Sequence, residues 1–338
     1  MSDILIEVTR GGITESLHRG DIAVVDASGA RLYSVGDPDR LCIMRSSAKP
    51  LQALNVILSG AAEKYQLTDA ELAIMCASHF GEDYHWQTIQ GVLDKLGLGM
   101  AHLLCGTGPQ KTSMEALLKD DSALREWRQS HADCAGKHCG FLAVCMTAGF
   151  PIETYDKREN PVQQQALGIV AHMCGIAAQE VQVAEDGCGV PVFAMPLHHV
   201  ALGFARLANP ENLPPAYQAA SERITKAMVR APEMVAGTGG FCTELMQHSH
   251  GRLVGKMGAE GVYGVGVLGK GLGIAVKIDD GNYGRACPPT VMETLRQLDL
   301  VSATEWETLA PFVPPVEIRN NHGRQVGETR AVFQLRSA

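Results

Sequence analysis

Strand-like sequence lies at both ends of this 338-residue chain, and helix-like sequence lies between. Near the N-terminus, residues 4–9, 21–26 and 31–36 are rich in apolar and β-branched side chains. Ala27-Ser28-Gly29-Ala30 reads as the hairpin turn joining the last two. Toward the other end, 251–258, 261–268 and 271–279 are short apolar runs punctuated by glycine, which predict a β-meander. Residues 315–319 and 329–335 flank a turn at Asn320-Asn321-His322-Gly323. Between these ends, apolar residues recur at helical intervals over 46–59, 137–147, 162–178 and 215–230, so roughly 110–250 reads as mainly helical. Thr68-Asp69-Ala70-Glu71 has capping-box spacing. A helix near 288–298 is predicted to carry Pro288 and Pro289 at its start, where a missing N–H costs little.

Strands that open and close a chain bury their apolar faces most economically in one shared sheet. The expected fold is therefore α+β: an antiparallel sheet built from N- and C-terminal strands, with helices packed on it. No low-complexity linker and no fixed-period repeat divides the sequence. One catalytic unit over 1–338 is expected, with the sheet from about 1–40 and 251–338 and a helical lobe over about 60–250. Two separate domains are the alternative.

Composition excludes several classes. Apolar residues make up 46% of the chain, enough for a sizeable core, and the formal net charge is -8. There is no basic stripe or block of like charge, so neither nucleic acid nor an anionic membrane is an expected partner. No apolar run is long enough to span a bilayer, and Met1-Ser2-Asp3-Ile4-Leu5 lacks the pattern of a secretory signal, so a cytoplasmic location is expected. The ten cysteines are then reduced thiols, most of them small buried apolar groups.

The first chemical signal is Arg45-Ser46-Ser47-Ala48-Lys49-Pro50. Ser46 and Lys49 are three apart and share a face if a helix begins near Ser46. A serine hydroxyl attacks only when a base takes its proton, and a lysine can be that base once burial or a neighbouring cation makes it neutral. The free N–H groups of a helix start can hold an oxyanion. Pro50 disfavours helical geometry at Lys49, but is tolerated within a first turn. Ser-x-x-Lys is a common tetrapeptide that often marks only a capping serine and a solvated lysine. Its place here, after an N-terminal meander and before a helical lobe, is similar to that in the penicillin-recognising serine hydrolases.

Two further polar groups suit such a site: Ser78 in Cys76-Ala77-Ser78-His79-Phe80-Gly81-Glu82, and Lys256 in Gly255-Lys256-Met257-Gly258. Singly, they read as a loop cap and a surface lysine. Met257 replaces the hydroxyl of a Lys-Thr-Gly strand motif, and Ser-Asp-Asn has no clear match; both argue against a penicillin-type substrate. A third group comprises Asp133-Cys134-Ala135-Gly136-Lys137-His138 and Asp186-Gly187-Cys188-Gly189-Val190-Pro191. Cys134 and Cys188 are candidate zinc ligands. By chemistry alone His138 is a more conventional third ligand than Lys137. Without a Cys-x-x-Cys spacing, structural thiols are the plainer reading.

Taken in order, the segments at 45–50, 77–82, 134–138, 186–191 and 256–261 resemble the rhizobial-type (class 3) L-asparaginases. The resemblance implies a serine-β-lactamase/penicillin-binding-protein-like fold, a homodimer, and an L-asparaginase that converts L-asparagine to L-aspartate and ammonia. It implies Ser-Lys pairs at Ser46/Lys49 and Ser78/Lys256, and one zinc held by Cys134, Lys137 and Cys188 in a positioning role. It also associates Arg45, Asp186, His79 and Gly258 with substrate binding. Asp133-Cys134-Ala135 departs from the family's usual Asn-Cys-Ser, and Cys242 stands where the family tends to carry an acidic residue. The competing readings are a β-lactamase-like esterase or peptidase, which would cleave a chromogenic cephalosporin or short ester, and a non-catalytic zinc- or amino-acid-binding protein, which would bind without turnover.

Overall fold

The computed structural model describes residues 1–106 and 131–338, so the part of the helical expectation that falls on 107–130 lies outside the described residues. The N-terminal strands are β1 (Asp3–Arg10), β2 (Ile13–Asp26) and β3 (Arg31–Val35). They join β7 (Leu253–Gly258), β8 (Val262–Val267), β9 (Leu272–Ile278), β10 (Val316–Arg319), β11 (Gln325–Ala331) and β12 (Arg336–Ser337) in one nine-stranded sheet. Its order is β10-β11-β1-β2-β9-β8-β7, with β3 attached beside β2 and β12 beside β3. Every described pairing is antiparallel. The two ends of the chain therefore build a common sheet, as their apolar patterns predict.

β2 starts earlier than the 21–26 run. Its first half, Ile13–Gly20, pairs with β1, and its second half lies between β9 and β3. The early half is mostly exposed, so it lacks the apolar face by which a strand is recognised in sequence. On the sheet lies the helix Leu197–Ala208, which fits closely because β8 and β9 carry Gly264, Gly266 and Gly273. A Cβ on Gly273 would stand 1.9 Å from the Ala201 carbonyl oxygen, and one on Gly264 would overlap the Phe204 ring.

The helices Ala135–Ala148, Pro161–Cys174 and Pro215–Arg230 match the predicted helical segments to within a few residues. Thr68 and Glu71 close a reciprocal capping box ahead of the helix Asp69–Met75. One expectation needs correction. The helix placed near 288–298 runs Tyr283–Gln297, with Pro288 and Pro289 inside it rather than at its start. Asn282 caps it by accepting from the Arg285 amide at 3.0 Å, and the buried stretch Ala286–Leu295 packs it against the sheet. Tertiary packing here outweighs the proline penalty. The middle of the chain is also not purely helical. β5 (Gln182–Glu185) and β6 (Pro191–Pro196) form a hairpin that pairs with β4 (Leu41–Ile43) in a small second sheet, ordered β4-β6-β5. This sheet sets the site: β4 leads into Arg45, and the β5–β6 turn carries Asp186 and Cys188. Among the described residues no helix is long and apolar enough to cross a membrane.

Candidate active site

The chain leaves β4, ties its Met44 amide to the Phe193 carbonyl of β6 at 2.9 Å, and makes a 3-10 turn over Arg45–Ala48. The α-helix begins at Lys49 and runs to Leu58, so Ser46 lies in the turn before it and Pro50 occupies its second position. This corrects the expectation of a helix opening at Ser46 and removes the objection from Pro50. Arg45 has φ 50°, a left-handed conformation that is uncommon for a residue with a side chain. Such strain is held in place by surrounding contacts. Here the Arg45 guanidinium donates to Asp186 Oδ1 at 2.9 Å, while the Ser47 hydroxyl donates to the Met44 carbonyl at 2.7 Å. Ser46 is 8% exposed, and among the described residues its hydroxyl makes no hydrogen bond.

Lys49 and Lys256 are both completely buried, and both amines reach the same hydroxyl. Lys49 Nζ donates to Ser78 Oγ at 3.1 Å and Lys256 Nζ at 2.9 Å. Lys49 also donates to the carbonyls of Ala77 and, at 3.4 Å, Asp133; Lys256 donates to the Met257 carbonyl at 2.8 Å. The hydrogen bonds of Lys49 therefore run to Ser78 and two backbone oxygens rather than to Ser46. Burial, reinforced by the charge of Lys49 and opposed by Cys242, lowers the Lys256 amine to about 8. A fraction of Lys256 is thus neutral near physiological pH, which an ordinary lysine is not.

The Ser78 loop is braced against residues 235–238. The Ser78 and Phe80 amides donate to the Val235 and Ala236 carbonyls at 2.9 and 2.8 Å, and Glu82 accepts from Tyr84 at 2.6 Å and from the Thr238 amide at 2.9 Å. His79 stacks on His85, with ring centroids 4.9 Å apart. Burial, with His85 and Lys49 nearby, lowers its pKa to about 3, so its ring is neutral. Its Nδ1 accepts from the Gly81 amide at 3.2 Å, which puts the proton on Nε2, a buried atom without a partner. Cys242, the position read as a departure, is a buried acceptor: Met257 N donates to its Sγ at 3.3 Å and the Tyr263 hydroxyl at 3.4 Å. It thereby helps to hold Met257, the residue whose carbonyl receives Lys256.

Gly258 lies beside the serine turn. A Cβ there would be 2.5 Å from the Met44 carbonyl oxygen and 3.2 Å from the Ser47 amide nitrogen, so only glycine lets β7 approach so closely. Gly258→Ala should move the turn away from Lys256, lowering kcat severalfold and stability by ~1–3 kcal/mol as overpacking does. Thermal unfolding alongside ammonia release checks both.

The cysteine and lysine residues converge as a second cluster. Lys137 Nζ donates to Cys188 Sγ at 3.1 Å and lies 3.8 Å from Asp186 Oδ2. A hydrogen bond from Cys134, opposed by burial and aided by Lys137, holds the Cys188 thiol well below its usual range, whereas the same pairing and burial raise Cys134. Lys137 is held well into its ammonium range: burial pulls its pKa down, but Cys134, Cys188 and Asp186 outweigh it. His138, the ligand favoured by chemistry alone, points elsewhere. Its Nδ1 pairs with the Tyr155 hydroxyl at 2.7 Å, and burial keeps it neutral with a pKa near 3. All ten cysteines are buried and none is in a disulfide. Among the described residues no three His, Cys, Asp or Glu side chains form a metal-sized cluster, so the candidate donor set is two sulfurs and an amine.

Ser46, Arg45, Asp186, Lys137 and Cys188 are therefore linked into one region, and Asp133 joins it to the two-lysine cluster through its carbonyl. The groups that sequence reasoning did not single out are the Ala77 and Asp133 carbonyls that receive Lys49 and the Tyr263 hydroxyl on Cys242. Backbone acceptors carry no side-chain signature, and Tyr263 reads as an ordinary strand aromatic.

The family described as L-asparaginase II matches residues 6–331. No curated protein matches. Among solved structures, native Mglu in 4.3 M NaCl is 13% identical, with a TM-score of 0.44 over 84% of this chain and 62% of that one. The glutamate form of Mglu gives 13%, 0.43, 83% and 61%. The LovD6 mutant of simvastatin synthase from Aspergillus terreus gives 14%, 0.39, 86% and 93%. The chain spans about three fifths of the length of the two Mglu structures it matches.

Proposed function

Since the chain belongs to the L-asparaginase II family and is an amidohydrolase, we propose that it hydrolyses the side-chain amide of L-asparagine through a serine-lysine acyl-enzyme. The observation that carries this reading is the pair of buried lysines sharing Ser78 Oγ, one of which, Lys49, lies three residues beyond Ser46, whose hydroxyl has no hydrogen-bond partner among the described residues. Burial leaves Lys256 neutral more often than an ordinary lysine, so it is available to accept a proton. Lys49 can pass a proton to Ser78 while Ser78 passes its own to Lys256, leaving Lys49 neutral and Lys256 charged. Neutral Lys49 then takes the proton of Ser46, whose oxygen attacks the amide carbon. The Arg45–Ala48 turn supplies backbone N–H groups for the oxyanion. The Met257 amide already donates to Cys242 and is not free for that role. Ammonia leaves with a proton, and water releases L-aspartate from the ester.

One observation favours a second reading: Ser78 is the hydroxyl both amines touch, which would suit it as the attacking group. Ser46→Ala and Ser78→Ala separate the two. A variant retaining a slow rate and an ester on the remaining serine identifies the nucleophile.

Cys134, Lys137 and Cys188 suit a zinc ion, because a thiolate, a thiol and an amine converge in a buried place where a cation can displace two protons. When bound, zinc would orient substrate and fix the Cys188 turn. We expect about one zinc per chain by elemental analysis, falling severalfold in Cys188→Ser. Full zinc occupancy in that variant would remove Cys188 from the set. The buried reduced cysteines fit a cytoplasmic enzyme. The family resemblance supports one catalytic unit of serine-β-lactamase-like fold in a homodimer, which light scattering tests.

A further inference from the structure

Asp133 differs from the other carboxylates near the site. Asp186 is occupied by Arg45 and by the Gly187 amide, each at 2.9 Å, and has Lys137 beside its second oxygen. Glu82 is occupied by Tyr84 and Thr238. Asp133 forms no ion pair among the described residues, and it is exposed although Ala132 and Cys134 on either side are buried. Its position is fixed, because its carbonyl accepts from Lys49 Nζ at 3.4 Å and from the His79 amide at 3.3 Å. An open carboxylate on a residue whose carbonyl holds Lys49 has room for one more cation.

An α-amino acid amide arrives with an ammonium group that two lysines and Arg45 would repel. The geometry points to Asp133 as the residue that receives the α-ammonium of the substrate. This inference rests on the amino-acid-amide reading above. Asp133 selects α-amino acid amides over the same chain lacking the amine, and the lysines and serines act on the amide.

The test pairs ligands that differ only in that amine. Turnover of L-asparagine and succinamate, and calorimetric binding of L-aspartate and succinate, are measured on the full chain and on Asp133→Asn. We expect the parent to prefer the aminated member of each pair by about tenfold or more, as loss of a charge-assisted bond implies, and Asp133→Asn to abolish that preference. A preference that survives in Asp133→Asn, or that the parent lacks, overturns the inference. If the parent releases no ammonia from asparagine yet shows an Asp133-dependent preference for L-aspartate, the amide-hydrolysis reading falls and this inference stands.

Discussion

Ser46→Ala is expected to reduce the release of ammonia from L-asparagine by ~10³–10⁴-fold or more, the loss seen when an attacking hydroxyl is removed. The structure makes this variant a clean one. Among the described residues the Ser46 hydroxyl has no hydrogen-bond partner, so its removal leaves no buried group unsatisfied. The Arg45–Asp186 pair and the Ser47–Met44 bond that shape the turn do not involve it. Stability should therefore stay within ~0.5 kcal/mol of the parent. Steady-state kinetics and a melting curve on the same preparation check both halves. Retained turnover in a folded Ser46→Ala protein would remove Ser46 as the nucleophile.

Lys256→Met should carry the second-largest effect, ~10²–10⁴-fold in kcat, because the variant takes away the proton acceptor at the end of the Lys49–Ser78–Lys256 chain. Its stability should be unchanged or raised. Replacing a buried charge with an apolar side chain of similar length is often neutral or stabilising, and Ser78 keeps Lys49 as a donor. Lower activity without lower stability separates a proton-transfer role from a structural one. The pH profile sharpens the point. Burial places the Lys256 amine at about 8, and the amine accepts a proton only when neutral. In the parent, kcat/KM should therefore rise with pH through an apparent value near 8 and level off above it. That value belongs to the coupled lysines together. In Lys256→Met this limb should disappear. A parent profile flat from pH 6 to 10 would mean that neither amine acts as a base.

Much of the architecture is legible in the sequence because its signals are local. Alternating and glycine-punctuated apolar runs mark the strands, and Thr68 with Glu71 marks a helix start. What is not legible depends on distant contacts. Residues 13–20 are a strand because β1 pairs with them, and their exposed side chains give no pattern. The β4-β6-β5 sheet joins residues about 150 apart, and the Tyr283–Gln297 helix accepts two interior prolines because its buried face pays off in packing.

The site divides in the same way. Ser46 and Lys49 are near in sequence and can be paired by spacing, although Lys49 turns its amine to Ser78. Lys256 reaches Ser78 across 178 positions, and only a resemblance to a family can bring those two residues together. The choice of Lys137 over His138 likewise rests on the resemblance alone. In the structure His138 is held by Tyr155, while Lys137 reaches Cys188.

The central claim is that the oxygen of Ser46 forms the bond to the substrate acyl carbon. Acid quenching during turnover of L-asparagine, followed by peptide mapping by mass spectrometry, tests it directly. An aspartyl ester on the peptide carrying Ser46, absent without substrate, is the expected result. An ester on Ser78, or steady ammonia release with no ester on any serine, would contradict it.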